Sequence, residues 1–360
     1  MSEWKKWTGR FATVVAGLVL MASVAQAEPY KVGFVYVGPI GDHGWSYQHN
    51  AGRLAVEEAL GDKVKTAFVE NVAEGADASR VIDRLAASGN DLIFTTSFGF
   101  MNPTLKSAKK HKDVMFEHAT GFKRADNVAT YSARFYEGRH VVGLIAGKMT
   151  KSNVIGYVAS FPIPEVIRGI NATFLAAKSV NPDVTLKIVW VSTWFDPGKE
   201  ADAAKTLIDQ GADVIFQHTD SPAPVQVAEK RGVWAVGQAS DMEHFGPKAH
   251  LTAIVDNWAP YYVERVKAAM DGSWKSGDTW GGFKYGMVQL SPYNKAIPAD
   301  VVELAEKARK GLMDGSVHAF AGPIKDQSGK VVVPEGKVAD DGMLAGMNFY
   351  VEGITGSIPK

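Results

Sequence analysis

Cysteine is absent from this 360-residue chain. Without it the chain has no disulfide bond, no thiolate zinc site and no thiol nucleophile, and we expect no lipid anchor on an N-terminal cysteine. A large hydrophobic core therefore has to hold the fold together by itself. An excess of either charge is also absent, because 39 Lys and Arg residues balance 39 Asp and Glu residues. This balance gives no electrostatic basis for binding nucleic acid or a membrane surface.

Long hydrophobic runs are missing except near the N-terminus. A basic segment at residues 5–10 precedes an apolar run at 11–24, and Ala25-Gln26-Ala27 then matches the small-x-small pattern of a signal peptidase site. The pattern predicts a secretory signal peptide over residues 1–27, cleaved near Ala27, so that the mature chain starts near Glu28. A membrane anchor is the alternative, but the apolar run is short for a membrane span.

The motifs of several enzyme classes are absent too. The chain has no Walker phosphate loop and no G-x-S-x-G nucleophile elbow, and Gly38, Gly41 and Gly44 lack the G-x-G-x-x-G spacing of a dinucleotide site. A metal centre built from Asp42, His43 and another histidine stays open, as does a Ser/His/Asp triad assembled by the fold. We assign no catalytic residue, no metal ligand and no cofactor.

What the sequence does contain is a regular alternation of two patterns. Continuous apolar runs predict strands buried on both faces, and the amphipathic segments between them predict helices. The predicted strands are 32–37, 66–69, 92–95, 114–118, 128–131, 154–159, 186–191, 214–217, 234–237 and 251–255. The predicted helices are 50–60, 76–88, 136–149, 166–180, 199–210 and 225–230. This alternation is typical of βαβ units and parallel sheets.

The order of these elements nearly repeats itself. Residues 87–94 (A-S-G-N-D-L-I-F) resemble residues 209–216 (D-Q-G-A-D-V-I-F), and in both a helix ends at a glycine before a buried strand. We predict an α/β fold of two doubly wound parallel-sheet lobes. The first lobe covers 28–150 and the second 151–255. The rest of the chain crosses back, with roughly 256–290 joining the first lobe and roughly 291–360 joining the second.

The loops after the predicted strands are the expected binding site. In doubly wound folds, ligands bind outside the carboxyl ends of the strands. Two facing lobes would bring such loops to one cleft, at residues 39–47, 96–102, 118–121, 160–165, 192–197, 218–222, 238–244 and 256–258. Aromatic side chains recur in these loops beside carboxylates, histidines and amides. They could stack on a flat heterocycle while the polar groups read its edge, or they could simply pack the interface between the lobes.

Several motifs resemble one known family. They are G-D-H-G-W at 41–45, E-G-R-H-V-V-G-L-I-A-G at 137–147, W-F-D-P at 194–197 followed by Q-G-A-D-V-I at 210–215, and G-P-I-K-D-Q-S-G at 322–329. Together they resemble the basic membrane protein family of ABC-transporter solute-binding proteins, which includes bacterial purine nucleoside receptors. The resemblance covers essentially the whole chain after residue 27 and implies type I periplasmic-binding-protein lobes joined by three crossovers.

The resemblance also implies roles for individual residues. Trp45 and Trp194 match the two aromatic positions that sandwich the purine, and Asp241 matches an acid that grips the ribose. Thr120 stands where the family has an acid that reads the base, and Asp256 stands where it has a lysine beside the ribose. Larger aromatic plates and altered ribose contacts suit a free purine-type base at least as well as a nucleoside.

The predicted ligand site therefore combines aromatic plates with polar groups. It consists of Trp45, Trp194, Asp42, His118, Thr120, Glu165, Asp241, Asp256, Phe98 and Asn257. The implied protein is a freely diffusing, monomeric periplasmic receptor that delivers a small molecule to an ABC permease in the inner membrane. A secreted nucleoside hydrolase and a sugar receptor of the same fold are the alternatives.

Overall fold

The structure is a computed structural model that describes Met1 and residues 28–360. Residues 2–27 of the predicted signal peptide lie outside the described residues. Within residues 28–360, no helix combines the length and the apolar character needed to cross a bilayer.

Strands and helices alternate along most of the chain. The strands are β1 (Tyr30–Val35), β2 (Val64–Val69), β3 (Leu92–Thr95), β4 (Met115–Ala119), β5 (Val128–Ala133), β6 (Val154–Ala159), β7 (Thr185–Trp190), β8 (Val214–His218), β9 (Trp234–Gly237), β10 (His250–Asp256), β11 (Asp278–Gly281), β12 (Val288–Leu290), β13 (Ile324–Lys325) and β14 (Val331–Val333). The helices are α1 (Gly44–Leu60), α2 (Ala76–Ala87), α3 (Met101–Lys110), α4 (Phe135–Met149), α5 (Pro164–Val180), α6 (Pro197–Asp209), α7 (Ala223–Arg231), α8 (Ala259–Asp271), α9 (Ala299–Asp314) and α10 (Asp341–Ala345).

Two six-stranded sheets form the cores of two lobes, in the orders β11-β5-β4-β3-β1-β2 and β12-β10-β9-β8-β6-β7. The first sheet is parallel throughout, and in the second only β12 runs antiparallel to its neighbour. The second order repeats the first strand for strand, as the internal sequence similarity predicts. The predicted class of two doubly wound lobes is confirmed.

The predicted strands all exist, within two residues of their predicted bounds. The central strands are buried along their whole length, as in the L-I-F-T segment of β3, which is why they stand out as continuous apolar runs. Among the predicted helices, the largest error in a bound concerns α1, which begins at Gly44 rather than at residue 50. Gly44 has a positive φ of 81° and lets the chain turn directly into the helix, so Trp45 lies in the first helical turn and not in a loop.

Helix α4 belongs to the second lobe, although chain order suggested the first. It packs against α5 and α9 and against β10 and β12 of the second sheet. A Cβ on Gly138 of this helix would lie 2.9 Å from Ile254 of β10. The predicted boundary near residue 150 therefore moves to the junction between β5 and α4, because the apolar surface of α4 is covered by the second sheet and not by the first.

Within residues 28–360 the chain crosses between the lobes at three points. These crossings lie between β5 and α4, between β10 and α8, and between β11 and β12. Helix α8 returns to the first lobe, where Tyr262 packs on Gly52 of α1. The crossings connect neighbouring strands of each sheet, β5 and β11 in the first and β10 and β12 in the second.

The contact between α4 and α5 depends on two glycines, and one of them supplies a test of the fold. A Cβ on Gly143 would lie 2.6 Å from the carbonyl oxygen of Thr173, and a Cβ on Gly147 would lie 2.7 Å from that of Ala177. We expect Gly143→Ala to destabilise the protein by about 1–3 kcal/mol, because the two backbones have to separate. Helix propensity alone predicts the opposite sign, a gain of about 1 kcal/mol.

Denaturant unfolding followed by circular dichroism measures this effect. Gly198→Ala, at an exposed position of α6 where a Cβ has an ordinary contact distance of 3.4 Å, is the matched control. A stabilising Gly143→Ala substitution would contradict the close approach of α4 and α5.

Candidate functional site

A narrow cavity of about 30 Å³ lies between the two lobes. Its walls come from residues at the carboxyl ends of the strands and at the starts of the following helices, as the fold rule predicts. The first lobe contributes Val37, Trp45, Ser97, Phe98 and Thr120, and the second contributes Glu165, Trp194, His218, Asp220 and Gln238.

Two tryptophans reach this cavity from opposite lobes. The indole N–H of Trp45 donates to the carbonyl oxygen of Thr96 at 2.6 Å, and its ring meets that of Trp258 edge-on with 5.4 Å between centroids. These contacts anchor Trp45 in the first lobe. Trp194 packs against Phe161 with 5.0 Å between ring centroids, and its buried indole nitrogen has no partner. Two such rings can hold a flat ligand between them.

The polar groups of the second lobe surround the same space. The Nε2 atom of His218 lies 3.4 Å from a carboxylate oxygen of Glu165. Burial lowers the pKa of His218, so its ring is neutral near pH 7, and its buried Nδ1 has no partner. Burial, assisted by the nearby Glu200 carboxylate, raises the pKa of Asp220 to about 8.

A buried charge network lies next to these groups. Arg139 is fully buried and donates to the backbone oxygen of Gln217 at 2.8 Å and to the side-chain oxygen of Gln238. Because Arg139 occupies the acceptor of Gln238, the amide nitrogen of Gln238 is the group left for a ligand. Asp256 is also fully buried, and burial together with the charges of Glu165 and Asp220 raises its pKa well above the usual range.

Five residues of the predicted site line the cavity together. They are Trp45, Phe98, Thr120, Glu165 and Trp194. Thr120 takes the left-handed conformation with φ of 60°, and its hydroxyl donates to the carbonyl of Ala119 at 2.8 Å. Thr120 therefore forms the part of the first-lobe wall where the family resemblance implies an acid.

Two other predicted residues of the first lobe lie elsewhere. The side chain of Asp42 is 72% exposed at the rim of the cleft, where it accepts from Nδ1 of His43 at 2.7 Å and lies 3.5 Å from Nε2 of His244. His118 is buried below the loop, and a Cβ on Gly121 would lie 2.1 Å from its ring. Its Nδ1 is 2.9 Å from the hydroxyl of Thr95, and burial lowers its pKa to about 3.

Three predicted residues of the second lobe and its junction also do not line the cavity. Asp241 accepts from the backbone N–H of Glu243 at 3.0 Å and is 43% exposed. Asp256 ends β10 inside the protein, and both of its buried carboxyl oxygens lack a hydrogen-bond partner. Asn257 donates to the carbonyl of Gly286 at 3.0 Å, so it joins two of the crossing segments.

Other residues of the cavity are not among the ten of the predicted site. They are Val37, Ser97, His218, Asp220 and Gln238. The last four belong to the predicted strand-end loops, so the sequence did predict which loops contain them. What could not be read from the sequence was which side chains of each loop turn inward.

The cleft is closed by direct contacts between the lobes. The backbone N–H of Gly44, at the start of α1, donates to the hydroxyl of Ser240 at 2.7 Å, and the rings of His43 and Phe245 meet edge-on at 4.9 Å. A wider cavity of about 550 Å³ adjoins the first and shares Phe98, Thr120 and Glu165 with it. In the part of the chain that the structure describes, no three His, Cys, Asp or Glu side chains are arranged to hold a metal ion.

Comparison with known proteins points to transport receptors. The family described as ABC transporter substrate-binding protein, PnrA-like, matches residues 30–317. A purine-binding protein of Brucella abortus is 56% identical over 346 residues, which cover 96% of this chain and 99% of that protein. A putative ABC transporter glucose-binding protein of Haloferax volcanii is 37% identical over 336 residues, covering 93% and 83%.

A solved structure supports the fold independently. An ABC transporter solute-binding protein from Aeropyrum pernix K1 superimposes with a TM-score of 0.69 at 20% identity, covering 88% of this chain and 95% of that one.

Proposed function

The chain belongs to the PnrA-like family of ABC transporter substrate-binding proteins, and we propose that the solute it receives is a purine-type base or nucleoside, with the free base preferred. It is a solute receptor of an ABC importer, so its partners are a small molecule and the permease of that importer. Its relatives are binding proteins, and the proposed role involves no catalysis.

The observation that carries the purine assignment is that Trp45 and Trp194 line one cavity between the lobes. The two rings come from opposite lobes, so a flat ligand between them would be held by both and would favour closure. Polar groups of Glu165, Asp220 and Gln238 border the same space and can pair with ring nitrogens and exocyclic groups. The similarity to a purine-binding protein at 56% identity supports the same ligand class.

The preference for a free base follows from the residues expected at the ribose. Asp241 is turned to the surface and Asp256 is buried, and neither borders the cavity. A ribose placed there would lack the charged partners that the family resemblance implies. A free base has no ribose, so it can stack between the two tryptophan rings without those charged partners.

Substrate-binding proteins of ABC importers act outside the cytoplasm, and we place this one in the periplasm as a monomer. The proposed route is export by the signal peptide, cleavage near Ala27 and release without a lipid anchor. N-terminal sequencing of the protein purified from the periplasmic fraction would test the cleavage, and light scattering would test the monomer.

Calorimetric titration of the purified protein with adenine, guanine, adenosine, guanosine and glucose tests the ligand. We expect saturable binding of bases, weaker binding of nucleosides and none of glucose. At a hundredfold excess over its dissociation constant, a bound base should also add about 2.7 kcal/mol to the free energy of unfolding. Binding of glucose alone would favour the second candidate, a sugar receptor, which the similarity to a putative glucose-binding protein supports.

The hydrolase alternative is tested with the same samples. Incubating the protein with adenosine or guanosine and separating the products by chromatography should show intact nucleoside. Release of free base and ribose at a rate proportional to protein concentration would contradict the proposed role.

A further inference from the structure

The cavity is asymmetric in its chemistry. The first lobe contributes apolar and hydroxyl side chains, whereas the second lobe contributes every carboxyl, imidazole and amide group of the lining. The two carboxyl groups are those of Glu165 and Asp220, and within residues 28–360 no lysine or arginine lines this cavity. The edge of a bound heterocycle therefore meets two carboxyl groups, an imidazole and an amide, all from the second lobe.

The nearest cations lie outside the lining of this cavity. Arg139 binds Gln217 and Gln238 beneath the cavity, and Arg168, which borders the adjoining wider cavity, donates to the carbonyl of Leu344 at 2.6 Å. An anionic ring in the cavity would meet the carboxyl groups of Glu165 and Asp220 without a lining cation to pair with, at a large cost in a site of low dielectric constant.

Carboxyl groups recognise particular edges of a heterocycle. A carboxylate accepts two hydrogen bonds from an amino group next to a ring N–H, as on guanine. A protonated carboxyl pairs with an amino group next to a bare ring nitrogen, as on adenine. A purine with only oxo groups, such as hypoxanthine, has a ring N–H but no amino group at that edge. A carboxylate then receives one hydrogen bond where guanine gives two, and the loss of that bond weakens binding.

We propose that Glu165 and Asp220 make this receptor selective for amino-substituted purines over purines that carry only oxo groups, and that they exclude anionic rings such as urate. This inference rests on the proposed purine site and deepens it. The reading groups lie on the second lobe, where α5 begins and where β8 ends, while Thr120 occupies the facing wall of the first lobe. Selection by the second lobe leaves the first lobe to close over the ligand.

Competitive calorimetry on the purified protein at pH 7 tests the selectivity with 2,6-diaminopurine, adenine, guanine, hypoxanthine and urate. We expect the amino-substituted bases to bind about 10- to 100-fold more tightly than hypoxanthine, the discrimination typical of one good bidentate pair, and urate not to bind. Glu165→Gln and Asp220→Asn should each reduce the ratio of adenine or guanine affinity to hypoxanthine affinity while hypoxanthine still binds.

Asp42→Asn is the matched control, since it removes a carboxylate near the cleft that does not line the cavity. It should leave the ratio unchanged, and thermal melts of all three variants show whether they are folded. Equal affinities for amino and oxo purines, or variants that keep the parental ratio, would overturn the selectivity and leave the purine site intact. Failure of every purine to bind would overturn the proposed function, and this inference with it.

Discussion

Replacing Trp194 by alanine should weaken purine binding by about 10- to 100-fold, the range expected when one aromatic ring is removed from a stacked base. Trp194 is suited to this test because it lies in a loop after β7 and packs mainly on Phe161. Its removal takes away one wall of the cavity and leaves the two sheets untouched. Calorimetry with adenine or guanine measures the loss, and circular dichroism verifies the fold.

Trp194→Phe is the control, because a phenyl ring keeps a smaller plate at the same place. It should retain most of the affinity, whereas the alanine variant should not. Trp45→Ala is a poorer test, since Trp45 also contacts His49, Phe135 and Trp258 and its removal disturbs the core. A stable Trp194→Ala protein with parental affinity would show that the purine is not stacked on this ring.

The substitution Glu117→Leu should lower the free energy of unfolding by about 3–5 kcal/mol, the cost of breaking a buried ion pair from one side. Glu117 of β4 is fully buried and accepts from Arg265 Nε at 2.5 Å, from the Tyr261 hydroxyl at 2.6 Å and from the Trp274 indole at 2.7 Å. Burial raises the pKa of Glu117, and the charge of Arg265 acts against that shift. Leucine would leave three donors without an acceptor.

The position of this cluster explains why the effect should be large. Tyr261 and Arg265 belong to α8, which returns to the first lobe after the second crossing, and Glu117 ties that segment to the first sheet. Guanidinium unfolding monitored by circular dichroism measures the loss. Glu303→Leu, at an exposed position of α9, is the control and should change stability by no more than about 0.5 kcal/mol. A Glu117→Leu protein as stable as the parent would mean that these hydrogen bonds are not formed.

Most of the fold could be predicted from the sequence because its strands are buried on both faces. A strand covered by helices on each side must be apolar at every position, and such runs are visible without an alignment. The repeated order of elements then indicated two similar lobes. The start of α1 was missed because Gly44 suggests a turn, and only the backbone conformation at residues 43–45 shows that the helix begins there.

The boundary between the lobes was harder to predict from the sequence, because it depends on which of the two sheets covers a given helix. Helix α4 follows β5 directly in the chain, so sequence order assigned it to the first lobe. The apolar pattern of α4 by itself is compatible with packing against either sheet. Contacts with α5, α9 and β10 assign it to the second lobe, and all three of these partners follow α4 in the chain.

For the candidate site too, some features could be predicted from the sequence and others required the tertiary structure. The sequence by itself determined that strand-end loops rich in aromatic and acidic residues face a cleft, because the topology of a doubly wound sheet places those loops together. It also placed Trp45 and Trp194 on opposite walls through the family resemblance. Only the tertiary structure decided that Asp42 turns to the rim, that Asp256 is buried and that His218 and Asp220 turn inward, because side-chain direction in a loop depends on backbone turns and neighbours that no local pattern contains.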